Sequence, residues 1–87
     1  MARYELRFRA SVTKDLKALP NTDVRRILAK IESLRDDPRP PGSEKLSGQE
    51  AYRVRQGDYR IVYSIFDRAL VVEIVKVGHR RNVYRKP

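Results

Sequence analysis

Apolar and polar positions alternate along parts of this chain and recur at helical spacing along others, and the two periods divide it into elements. Tyr4, Leu6 and Phe8 interleave with Arg3, Glu5, Arg7 and Arg9, a period of two that predicts a half-buried strand. Val12, Leu16 and Leu19 then fall at i, i+4 and i+7, so a short helix follows, with Ser11 as its expected N-cap and Pro20 as its stop. Val24, Ile27, Leu28, Ile31 and Leu34 form a second stripe. Asn21 or Thr22 is its expected cap, and Asp37-Pro38 its expected end, because the residue before proline avoids the α region. Two short-linked helices with one apolar stripe each predict an antiparallel helical hairpin covering a sheet. Pro38 to Gln49 is rich in proline, glycine and polar residues and reads as a loop, with Leu46 as its candidate buried anchor.

The last third of the chain carries two hairpins. Gly57-Asp58 separates two alternating runs and predicts a two-residue turn, since glycine reaches φ > 0 at little cost. That register sets Gln56 opposite Tyr59, Arg55 opposite Arg60, Val54 opposite Ile61, Arg53 opposite Val62 and Tyr52 opposite Tyr63. A second hairpin runs from Tyr59 to Phe66 and back from Leu70 to Val77, turning at Asp67-Arg68. It places Leu70, Val72 and Ile74 on the face of Ile61, Tyr63 and Ile65. The expected fold is α+β, in the order β-α-α-β-β-β: a helical hairpin packed on one face of a largely antiparallel four-stranded sheet. Eighty-seven residues allow one domain, spanning 1–87.

The other face of that sheet carries Arg53, Arg55 and Arg60, mixed with Val62, Val71, Val75 and Val77. Like charges directly across a ladder are destabilising. An Arg55–Arg60 pair therefore suits a surface that receives a polyanion. The formal charge of +9 points the same way, since self-repulsion of this size is offset when a basic protein meets an anionic partner. No segment is long and apolar enough to span a bilayer, and MARYELRFRA lacks the apolar core of a secretory signal, so a cytoplasmic protein is expected. Cysteine is absent, which excludes disulfide and thiolate chemistry. A single histidine and scattered carboxylates offer no metal-ligand spacing, so no metal or cofactor is expected.

The run YRVRQGDYRIVY, preceded by KLSG and followed by VVEIVKVGHRRNVYR, resembles the toxins of bacterial and archaeal RelE/ParE toxin–antitoxin modules. The resemblance covers essentially the whole chain. It implies a RelE-like domain and, for the RelE branch, a ribosome-dependent endoribonuclease that cuts mRNA in the A site by metal-independent attack of the 2′-hydroxyl. The site residues it implies are Arg53 and Arg55, matching two basic positions on one strand; Arg60, following the tyrosine of the next; Arg80, just after the final strand; and Tyr84. His79, Lys45 and Arg81 are further candidates. The three strand arginines suit stabilisation of a phosphorane dianion, because a guanidinium can bind two phosphate oxygens at once. Arg80 is expected at the leaving group, and Tyr84 against a base. Arginine stays protonated and makes a poor general base, so the base has no assignment. The implied partners are a cognate RelB-like antitoxin, the ribosome and mRNA, in a hetero-oligomeric toxin–antitoxin complex that binds promoter DNA through the antitoxin. Two alternatives stand beside this: a ParE-like inhibitor of DNA gyrase, and an inactive toxin fold that only binds an antitoxin.

Overall fold

The computed structural model describes residues 3–46 and 51–79. Strand β1 (Glu5–Phe8) leads into helices α1 (Ala10–Lys17) and α2 (Asn21–Ser33). Strands β2 (Glu44–Lys45), β3 (Ala51–Gln56), β4 (Tyr59–Phe66) and β5 (Val71–His79) follow, and the sheet order is β1-β5-β4-β3-β2. The expected α+β layering and largely antiparallel pairing hold, with one correction to the sheet. It has five strands rather than four, because two residues of the presumed loop, Glu44 and Lys45, pair antiparallel with Arg53 and Tyr52. Leu46 continues that pairing, its N–H donating to the Ala51 carbonyl at 2.8 Å, and is half-buried rather than a core anchor. The first strand lies parallel to the last, with Glu5 opposite Val71 and Phe8 opposite Ile74.

Both helices start where backbone bonding dictates rather than where polar side chains suggested. The Arg9 N–H donates to the Ile74 carbonyl at 3.0 Å, so the β1–β5 ladder holds Arg9 extended (φ −69°, ψ 150°). The helix therefore begins at Ala10 with no side-chain cap, and Ser11 is already inside it. Pro20 (φ −59°, ψ 145°) opens the second helix, its carbonyl accepting from the N–H groups of Asp23 and Val24, so Asn21 and Thr22 are helical residues rather than caps. That helix closes at Ser33, before Asp37-Pro38, because the Asp36 and Asp37 N–H groups both turn back to the Ser33 carbonyl.

Val12, Ile27, Ile31 and Leu34 from the helices pack on Val54, Ile61, Tyr63, Ile65, Val72, Ile74 and Val77 from the sheet. Leu28, expected in the stripe, is 41% exposed: with Ile27, Ile31 and Leu34 facing the sheet, the next residue round the helix falls outside the contact. Tyr63 is fully buried, stacks on Tyr52 at 6.0 Å and donates its hydroxyl to the Pro38 carbonyl at 2.7 Å. Burial pushes its phenol up to about 12.

The second hairpin departs from its expected register. The turn takes four residues, Asp67 to Leu70, instead of two, and pairs Phe66 with Val71. Leu70 adopts φ 54° and is exposed rather than core. A bulge opposite Val62/Tyr63 then inserts Val75, so that Tyr63 faces Ile74 but Ile61 faces Val77. Val77, expected beside the arginines, is thereby turned into the core.

Asp67 in that turn is a tie point. Arg39 reaches it with both terminal nitrogens, at 3.2 and 2.9 Å, and the Tyr4 hydroxyl donates to it at 2.8 Å. Arg39 also donates through Nε to the Tyr52 hydroxyl. The Arg39 fork, and after it Tyr4, hold the Asp67 carboxyl below the usual carboxylate range. A carboxyl depressed in the folded state adds stability above its unfolded pKa, near 4, and loses it as pH falls through the folded value. Asp67→Asn is therefore expected to be less stable than the parent at pH 7, with the gap closing as pH falls below about 4. Denaturant midpoints measured across that range check it.

Candidate functional site

The β3–β4 hairpin positions the candidate site. Gly57 sits at φ 61°, the left-handed conformation its turn requires, and every pair expected from the sequence, from Gln56–Tyr59 to Tyr52–Tyr63, is observed. Directly opposed residues share a face. Tyr52, Val54, Ile61 and Tyr63 therefore lie under the helices, and Arg53, Arg55 and Arg60 lie together on the other side. Arg55 stands directly across from Arg60, whose neighbour on β5 is Gly78, a residue with no side chain. Val62, beside Arg53, and Val75 are half-exposed on this face.

The register sorts the remaining candidates. Lys45 falls opposite Tyr52, on the helix-covered side. Because of the bulge, His79 falls opposite Tyr59, again on the helix side, and its ring meets Tyr59 edge-on at 5.9 Å. There it lines a polar cleft of about 270 Å³ with Asp23, Arg26, Asp58 and Tyr59. The Tyr59 hydroxyl donates to Asp23 at 2.9 Å, which raises its pKa. Arg80, Arg81 and Tyr84 lie outside the described residues.

The sequence reading placed neither Glu44 nor Lys76 on the arginine face, where Lys76 lies opposite Val62. Glu44, opposite Arg53, accepts from its Nε and Nη2 at 3.3 and 3.4 Å. The available signal was its place one residue before the KLSG run, yet a two-residue polar strand carries no usable periodicity. Towards β1 the same side of the sheet is compensated, with Glu5 on Arg7 at 3.4 Å and Glu73 on Arg9 at 3.6 Å. Arg53, Arg55 and Arg60 are gathered at the β3–β4 end of this face. Guanidinium groups so placed can hold a phosphodiester through charge-assisted hydrogen bonds.

The family model for the ParE toxin of type II toxin–antitoxin systems matches residues 6–84. Toxin RelG of Mycobacterium tuberculosis is 33% identical over 91 residues, covering 95% of this chain and 98% of that protein. Among solved structures, the RelE–RelB complex of Pyrococcus horikoshii is similar at a TM-score of 0.81, with 33% identity, 94% of this chain and 99% of that one. The RelBE2 toxin–antitoxin complex of Mycobacterium tuberculosis follows at 0.79, with 27% identity, 90% of this chain and 99% of that one. The helical pair, the sheet and the match along nearly the full length together place the chain in the RelE/ParE superfamily, as a toxin of a type II toxin–antitoxin system.

Proposed function

We propose that this toxin is a RelE-like endoribonuclease that cuts mRNA in the ribosomal A site and so blocks translation. The observation that carries the reading is the meeting of Arg53, Arg55 and Arg60 on the sheet face away from the helices. Cleavage needs the 2′-oxygen to lose a proton, the pentacoordinate dianion to be stabilised, and the 5′-oxygen to leave protonated. The three guanidinium groups supply the second task without a metal ion. Arg80 is assigned to the leaving group and Tyr84 to the orientation of a base. RNA affinity should fall steeply with salt, as phosphate contacts release counterions.

The relatives from Pyrococcus horikoshii and Mycobacterium tuberculosis are seen in complexes with RelB and as RelBE2. By the same likeness this chain has a RelB-like antitoxin, a partly disordered partner that wraps the toxin and covers the arginine–valine face. The test is primer extension on a defined mRNA in purified translation complexes, with and without ribosomes. Discrete A-site cuts are expected, and Arg80→Ala should remove them while antitoxin binding persists. A parental cleavage rate in that variant would take Arg80 out of the site.

The ParE description of the matching family favours one second reading, a gyrase inhibitor that cleaves nothing. Expression in growing cells separates the two: a ribonuclease halts protein synthesis first, whereas a gyrase poison brings DNA damage and filamentation.

A further inference from the structure

The cleavage reaction needs a group that takes the 2′-hydroxyl proton, and arginine cannot supply one. Lys45 and His79 are set by the strand register on the helix-covered side, opposite Tyr52 and Tyr59. Glu44 is on the right side. It stands opposite Arg53, its carboxylate engages the Arg53 guanidinium through both oxygens, and its side chain is 64% exposed. A 2′-hydroxyl adjoins the scissile phosphate, so its proton acceptor must stand beside the groups that hold that phosphate. Paired strands lie about 4.8 Å apart, which puts a β2 side chain within that reach of β3.

We propose that Glu44 is the proton acceptor of the cleavage reaction, acting on the nucleotide whose phosphate Arg53, Arg55 and Arg60 hold; this rests on the ribonuclease reading above. The Glu44 carboxylate takes the 2′-hydroxyl proton as the 2′-oxygen forms its bond to phosphorus. The bond from phosphorus to the 5′-oxygen breaks, and the 5′-oxygen takes a proton from water. The products are a 2′,3′-cyclic phosphate and a 5′-hydroxyl, and Glu44 returns its proton to solvent. The two hydrogen bonds from Arg53 fix where the carboxylate points.

The test is single-turnover cleavage of a defined mRNA in purified ribosomal complexes by the parent, Glu44→Gln and Glu44→Asp. Glutamine keeps an oxygen for Arg53 but is no base. Folded Glu44→Gln, matched to the parent by its thermal melt, is expected to cut roughly a hundred- to ten-thousandfold more slowly at saturating protein. Its concentration for half-saturation should stay unchanged, and Glu44→Asp should cut faster than Glu44→Gln. A Glu44→Gln variant that cuts at or above the parental rate overturns the proposal, leaving Glu44 as a group that only masks Arg53. Absence of cleavage by the parent overturns the ribonuclease reading and this assignment with it, whereas parental cleavage with an unaffected Glu44→Gln overturns the assignment alone.

Discussion

Replacing Arg53, Arg55 and Arg60 together by alanine is expected to cut mRNA cleavage at least about a thousandfold while leaving the fold as stable as the parent. A hydrogen bond to a charged group contributes about 1.5–3 kcal/mol, and each 1.36 kcal/mol of transition-state stabilisation is tenfold in rate, so three lost contacts reach that figure. Stability should hold because all three arginines lie outside the buried core. Arg55 faces Arg60 across the ladder, a repulsive arrangement whose removal gives a few tenths of a kcal/mol back. The Arg53–Glu44 pair lies at a surface where such bridges contribute about 0–1 kcal/mol. Rates in translation complexes, with urea denaturation alongside, separate the outcomes. Lost cleavage with an intact fold fits a substrate-binding face. Unchanged cleavage would mean that the chemistry lies elsewhere. Arg68→Ala, in the exposed turn after β4, is the control and should change neither property.

Val77→Lys is expected to cost about 3–5 kcal/mol, and Val75→Lys no more than about 1 kcal/mol. The two positions are two apart on one strand, so a regular strand would give them the same face and the same tolerance. The inserted residue breaks that equivalence. Val77 is 2% exposed inside the core, whereas Val75 is half-exposed on the arginine side. A buried unpaired charge on Val77 would remove a large part of the 5–15 kcal/mol that usually separates folded from unfolded domains. Urea titrations of both variants give the answer. Equal losses would mean that the bulge does not exist in solution.

The same pair marks where the sequence stops being readable. The first hairpin was legible to the residue because Gly57 at a positive φ fixes the turn, and a wrong register would expose Val54 and Ile61. Nothing comparable marks the second. Valine occupies positions 71, 72, 75 and 77, so the apolar pattern fits with or without an extra residue. No glycine punctuates the Asp67–Leu70 turn, and a leucine holds its positive φ. The arginine trio was legible because it lies on the well-marked hairpin. The placement of His79 depended on the bulge, and that of Glu44 on a strand too short to have a period. The parallel neighbour of β1 was hidden for another reason: alternation shows that a strand exists, not beside which strand it lies.

That parallel pairing has a consequence for synthesis. β1 is made among the first residues, yet its hydrogen-bonding neighbour β5 is the last strand of the described chain. The β3–β4 hairpin can form as soon as it emerges, but the β1–β5 ladder closes only once Ile74 has been added. Contacts so distant in sequence form slowly, because the intervening loop must first be closed. The growing polypeptide therefore carries the arginines of the first hairpin well before it has the finished platform that holds them in register. The arginine face is thus completed only after β5 has been made.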